Sequence, residues 1–147
     1  MQKVRPASKY ASAERQLIAR MLRDEGLAYQ IIEMLGETTF HYDEHQAILT
    51  YLFGYYEEGN KADPNLFLNY LPDKKLRTLV TEIEMLSIND EYSDEELNDY
   101  ISHVLKYPKM LMIKEKIVEQ KAAEKNNDIV KAIKLAQEIL ELRKSVT

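Results

Sequence analysis

The stretch AERQLIARML, Ala13–Leu22, decides the fold. Its apolar residues Leu17, Ile18, Met21 and Leu22 fall on one face of a helix turning through about 100° per residue. Ser12 is the expected N-cap and Gly26 the expected stop. The same stripe returns at Leu27, Ile31, Ile32 and Leu35 before Gly36, and at Ile48, Leu49, Leu52, Phe53 and Tyr56 before Gly59. Asp63-Pro64 caps a short helix carrying Leu66, Phe67 and Leu71, because proline at the first helical position loses no hydrogen bond. After Pro72, the residues Leu76, Leu79, Val80, Ile83 and Leu86 define a fifth helix. Ser93-Asp-Glu-Glu96 is a capping box opening a sixth, with Leu97, Ile101, Val104 and Leu105. No segment alternates with period two, so the expected class is all-α.

Composition narrows the function. With 147 residues, 45% hydrophobic and 31% charged, the chain is long enough for one compact core. It has no cysteine, which removes disulfides, thiolate metal sites and cysteine nucleophiles and suits a reducing compartment. No apolar run approaches the roughly 18 residues of a membrane span, and MQKVRPASKYASAER has no signal-peptide core, so a cytoplasmic location is expected. A net charge of -5 argues against a primary nucleic-acid surface, which needs clustered Lys and Arg. A protein partner or small ligand is the better expectation.

One motif suggests chemistry. His41-Tyr-Asp-Glu-His45 reads as H-x-x-E-H, a zinc-peptidase signature that needs both histidines on one helix face and a third ligand. Asp43, with Gln46 three residues on, is the natural N-cap. That leaves His41 in the loop and only His45 on the helix, so the histidines should not share a face and the structural reading is preferred. Phosphate-binding glycine loops and the nucleophile elbow are absent. The carboxylates Asp90, Glu91, Asp94, Glu95 and Glu96 complement a helix dipole better than they build a cation site. The tyrosines, Tyr51, Tyr55 and Tyr56 among them, are expected at the core or its edge. No catalytic residue, metal or cofactor is expected.

The end of the chain differs. Tyr107-Pro108 should break the sixth helix. One helix should then run to about Lys125 with Met110, Ile113, Ile117 and Val118 apolar, and after Asn126-Asn127 a second to about Lys144. That second helix carries two stripes, Ile129, Ile133, Ala136 and Leu140, and Leu135, Ile139, Leu142 and Val146 beside Ala132. Together they span roughly 180°, whereas packing on one neighbour needs about 100°. One stripe closes the hairpin; the other is free for an interface. Burying four side chains gives about 6 to 12 kcal/mol, little against the cost of ordering the segment, so the hairpin should dock on something. A homodimer seam is the second choice.

Three motifs carry a family likeness. Ala13–Leu22 resembles the opening of the small helical domain shared by the bacterial replicative helicase N-terminus and the primase C-terminus. Phe40, His45 and Ile48 resemble that family's Phe-x4-His-x2-Ile, and Glu58-Gly59-x3-Asp63-Pro64 its turn before the Asp-Pro cap. The whole chain is similar to primase helicase-binding domains, with a bundle over residues 1–107 and a hairpin over 108–147. The resemblance implies a non-catalytic domain whose hairpin attaches to the hexameric replicative helicase and whose bundle contacts the helicase's N-terminal domains and modulates it. Zinc-binding and polymerising parts would lie upstream, Met1 then being an artificial start before a natural C-terminal domain.

The expected partner contacts are Leu135, Ile139, Leu142 and Val146, with Arg143 and Lys144 at the rim and Glu14, Arg15, Tyr55 and Tyr56 on the bundle. Leu17, Ile48 and Ile83 are expected core. Two alternatives are the helicase N-terminal domain itself and a metal-dependent hydrolase using His41, Glu44 and His45. Against the first, the opening helix lacks its small-residue pattern, and a linker to a motor domain would be expected beyond Ser145-Val146-Thr147.

Overall fold

Short side chains that accept backbone N–H bonds set where most helices begin. A computed structural model describes residues 8–86 and 93–146. Among them run α1 (Lys9–Met21), α2 (Glu25–Leu35), α3 (Asp43–Glu57), α4 (Pro64–Tyr70), α5 (Lys74–Glu84), α6 (Asp94–Lys125) and α7 (Ile129–Ser145), with no strand among the described residues. Ser8, Asp24, Asp63, Asp73 and Asp128 cap α1, α2, α4, α5 and α7, each accepting from a backbone N–H of the first turn. The all-α expectation holds. Two boundaries shift: Ser12 lies inside α1, and Gly26 lies inside α2, because Ser8 and Asp24 satisfy the orphan donors earlier.

The chain divides into two compact units, Met1–Val104 and Leu105–Thr147. In the first, α1 packs on α2, α3 and α5, α3 packs on α4 and α5, and α4 on α5. The expected core residues Leu17, Ile48 and Ile83 are fully buried together with Ile18, Ile31 and Val80. Leu66 departs from its expected place and is exposed, while Leu71, just past α4, is buried. The start of α6 belongs to this unit. There Glu96 N–H donates to Ser93 Oγ at 3.1 Å, half of the capping box, while the Glu96 carboxylate lies 3.8 Å from the buried Arg20 guanidinium. That guanidinium also stands 5.2 Å from the centre of the Tyr100 ring, a cation–π contact. Asp94, Glu95 and Glu96 occupy the first turn of α6, as the dipole favours; Asp90 and Glu91 lie outside the described residues.

Tyr107-Pro108 does not break the chain's helical run, contrary to expectation: Pro108 stands inside α6. Proline removes one i→i−4 bond and crowds the carbonyl four residues back, which costs about 3 kcal/mol. Uninterrupted helix formers from Lys109 to Lys125 make continuing the helix the better solution.

In the second unit, the later part of α6 and α7 form an antiparallel hairpin. Lys109 Nζ donates to Ser145 O at 3.4 Å and Lys116 Nζ to Glu138 Oε2 at 2.7 Å, both pairs in one register about the turn. Asn127 takes φ 60° there, and Asp128 N–H returns to Ala123 O at 2.8 Å. No helix of the described residues is long and apolar enough to cross a membrane.

Candidate functional site

The hairpin exchanges the roles expected of its two stripes. Ala132, Leu135 and Ile139 are buried, with Ile113 and Ala123 of α6. Leu135 and Ile139 therefore belong to the buried face of α7 and are corrected from contact residues to structural ones. Leu142 and Val146 are half-buried, whereas Arg143 and Lys144 are exposed as expected of a rim. The free stripe is the other one: Ile129 is 66% exposed, Ile133 55% and Leu140 55%, with Ala136 between them also exposed. Val130, 81% exposed, flanks its first turn. The sequence does hold a signal for this choice. A tight turn brings two helices closest near its ends, and the alanines at 123 and 132 are the small residues that fit there, with Leu135 and Ile139 three and seven residues further on the same face.

The Lys116–Glu138 pair locks the register. Their hydrogen bond holds the lysine above its ordinary range and the glutamate below its own, the two ionised forms supporting each other.

On the first unit, the HYDEH segment surrounds a buried carboxylate. Glu14 of α1 is 1% exposed; its Oε2 accepts from His41 N–H at 2.6 Å and its Oε1 from Tyr42 N–H at 3.4 Å. The same Oε1 lies 2.8 Å from Nδ1 of the buried His45. On its other side, His45 Nε2 accepts from Arg15 Nε at 3.3 Å. A carboxylate at Nδ1 and a donor at Nε2 select the Nδ1–H tautomer of a neutral ring. Tyr42, not Asp43, is the N-cap of α3 and makes no side-chain cap bond; Glu14 supplies acceptors to this turn from another helix. Gln46, expected to close a capping box, instead accepts Phe40 N–H at 2.9 Å.

This placement corrects Glu14, which is buried structure and not a surface contact. The histidines sit as the motif analysis expected, His41 in the loop and His45 on α3. Among the described residues no group of three or more His, Cys, Asp or Glu side chains can hold a metal ion. The hydrolase reading has no support in this geometry.

Tyr55 and Tyr56 are also buried, in keeping with the core expected of the tyrosines, and their place among the partner contacts is corrected. Tyr55 Oη donates to Lys61 O at 2.9 Å and Tyr56 Oη to Met21 O at 2.5 Å, so both tie loops and helix ends to the core. Burial pushes both phenols above the ordinary tyrosine range. Tyr29, partly exposed, donates to Glu57 Oε1 at 2.5 Å, which pushes its pKa up to about 12. Of the four expected bundle contacts only Arg15 reaches solvent, half-buried at an open cleft.

Residues 6–106 match the family model described as the DnaB-like helicase N terminal domain. The chain belongs to this family. As a DnaB-like helicase N terminal domain its first unit has relatives, but the likeness to individual proteins runs further, through the hairpin. The DNA primase of Geobacillus stearothermophilus is 38% identical over 94% of this chain and 23% of its own length. That of Halalkalibacterium halodurans is 39% identical over 93% of this chain and 22% of its own length. The chain thus spans about a quarter of the length of the curated relatives it matches. Among solved structures, the DnaB binding domain of DnaG from Bacillus stearothermophilus is 38% identical, with a TM-score of 0.58, covering 99% of this chain and 97% of that one.

Proposed function

We propose that this chain is the helicase-binding domain of a bacterial DNA primase, which works in the cytoplasm and couples primer synthesis to unwinding. The observation that carries the reading is the end-to-end likeness to a solved DnaB binding domain of DnaG, over 99% of this chain. The family match alone fits a helicase N-terminal domain equally well for residues 6–106. The primase relatives, which extend the likeness across the hairpin, favour the primase.

In this reading the partner is the hexameric DnaB-type helicase, met through its N-terminal domains. Residues 108–147 form the attachment and residues 1–107 the modulating bundle. The contact surface is the apolar ridge Ile129, Ile133 and Leu140 with Val130, supported by its exposure, with Leu142 and Val146 at its edge and Arg143 and Lys144 at the rim. Exposed ridges of this kind dock into grooves between partner helices. Rim charges set the rate of encounter and the apolar ridge the rate of release. The domain itself synthesises nothing; polymerisation belongs to the rest of the primase.

The testing experiment is a calorimetric titration of the intact chain into the cognate hexameric helicase, with an Arg143→Glu, Lys144→Glu chain beside it. Binding by the intact chain, weakened by the charge reversal as a slower association at unchanged release requires, supports the reading. No heat and no co-elution with the hexamer refutes it.

A further inference from the structure

Arg15 projects from α1 with an unusual division of its guanidinium. Its Nε donates to His45 Nε2 at 3.3 Å, and His45 is in turn held at Nδ1 by Glu14 at 2.8 Å. Both of those partners are buried and Arg15 is not. Among the described residues its two Nη atoms have no hydrogen-bond or ion-pair partner. They belong to a side chain lining an open cleft of about 590 Å³ with Glu44, Asp73, Lys75, Thr78 and Glu82, where Lys75 Nζ stands 3.5 Å from Glu44 Oε1.

Tying Nε to a ring that is itself tied to a buried carboxylate restrains the plane of the guanidinium before anything binds. The free edge of such a fork matches the two oxygens of a carboxylate, and little entropy remains to be lost on pairing. The cleft also limits what else can approach. Three carboxylates, Glu44, Asp73 and Glu82, line it beside the three cations Arg15, Lys74 and Lys75, so the two signs are interspersed and neither dominates. A run of phosphates would meet them with like charge, whereas one acidic side chain flanked by basic ones meets an opposite charge at each point.

We propose that Arg15 is a preset receptor for a single carboxylate side chain of a protein partner, a glutamate or aspartate carried between basic residues, bound in the cleft formed by α1, α3 and α5. The inference rests on the reading that the bundle meets a protein partner, and it names the chemistry of that contact. Glu14 and His45 are its positioning residues.

The test uses the full chain and two capped tripeptides, Lys-Glu-Lys and Lys-Gln-Lys, with a short thymidine oligonucleotide as the phosphate probe. Resonances of Arg15 Nε–H and of the Thr78 amide are followed by NMR. Lys-Glu-Lys is expected to move both, at least about fivefold further than Lys-Gln-Lys at equal concentration, and an Arg15→Lys chain, which keeps the charge but loses the fork, is expected to lose that difference. Circular dichroism of the Arg15→Lys chain should match the parent. Equal shifts with both peptides, no shift with either, a retained difference in Arg15→Lys, or a larger response to the oligonucleotide each overturns the proposal. No helicase enters this measurement, so a chain that fails to bind the hexamer overturns the primase reading while the peptides still judge Arg15.

Discussion

The carboxylate of Glu14 lies 2.8 Å from His45 Nδ1 while also accepting His41 N–H at 2.6 Å, so one buried side chain of α1 holds both the loop before α3 and the first turn of α3. What reads in the sequence as a metal motif is in the structure the rim of a carboxylate socket.

Removing that carboxylate leaves two backbone donors and a ring N–H facing a buried void. Glu14→Ala should cost about 3 to 5 kcal/mol and Glu14→Gln about 1 to 3, since an amide still offers one acceptor. Urea unfolding followed by circular dichroism measures both. A change under 1 kcal/mol in Glu14→Ala would show that the socket carries no such load.

Much of the fold was legible because its signals are local. Asp63-Pro64 caps α4 through side-chain bonds to residues two and three positions on, and such a motif needs no knowledge of the rest of the chain. His41 and His45 fall in loop and helix as expected although the cap read between them, Asp43, is the first residue of α3 and Tyr42 is the N-cap. The cap of α3 was not legible as it stands, because its acceptors come from Glu14, 27 to 28 residues away from the donors. Pro108 misled because a breaker rule weighs one residue, whereas the outcome depends on the helix formers beyond it. On α7 two stripes of equal apolarity compete. The small residues Ala123 and Ala132 flanking the turn, both buried, separate the two, and half of that signal lies on α6, outside the helix whose stripes are compared. Tyr55 and Tyr56 are in the core, where the helical spacing of the tyrosines put them, and Glu14 joins them; all three leave the set of partner contacts because their polar atoms are bonded inside the protein.

Pro108→Ala restores a donor to the middle of α6 and removes the ring's crowding. It should stabilise the chain by about 1 to 3 kcal/mol and slow amide exchange around that position. Unchanged exchange would mean that the helix relaxes around proline without strain.

The Lys116–Glu138 pair makes hairpin stability depend on pH at both ends. Glu138 is held below its ordinary value, so its contribution is present above the unfolded carboxylate pKa and is lost as pH falls through the lower folded one. Lys116 is held above its ordinary value, so its contribution is full below the unfolded lysine pKa and is lost as pH rises through the higher folded one. Thermal unfolding of Glu138→Gln across pH should flatten the acid limb relative to the parent. An identical acid limb would remove the pair from the account.

Tyr29 should ionise late. Its hydrogen bond to Glu57 places the phenol at about 12, so absorbance titration should show it ionising after exposed tyrosines, and Glu57→Gln should return it toward their range. A titration unaltered by that substitution would contradict the assignment.

The central claim is that the exposed stripe of α7, and not the buried one, meets the helicase. The direct measurement is calorimetric titration of the full chain carrying Ile133→Asp into the cognate hexamer, with thermal unfolding recorded beside it. Ile133 is 55% exposed, so the substitution should leave the unfolding temperature within a few degrees of the parent while weakening binding by about 30-fold or more, the size expected of a central contact. Parent-like affinity in a folded Ile133→Asp chain would contradict the account and return the contact to another face.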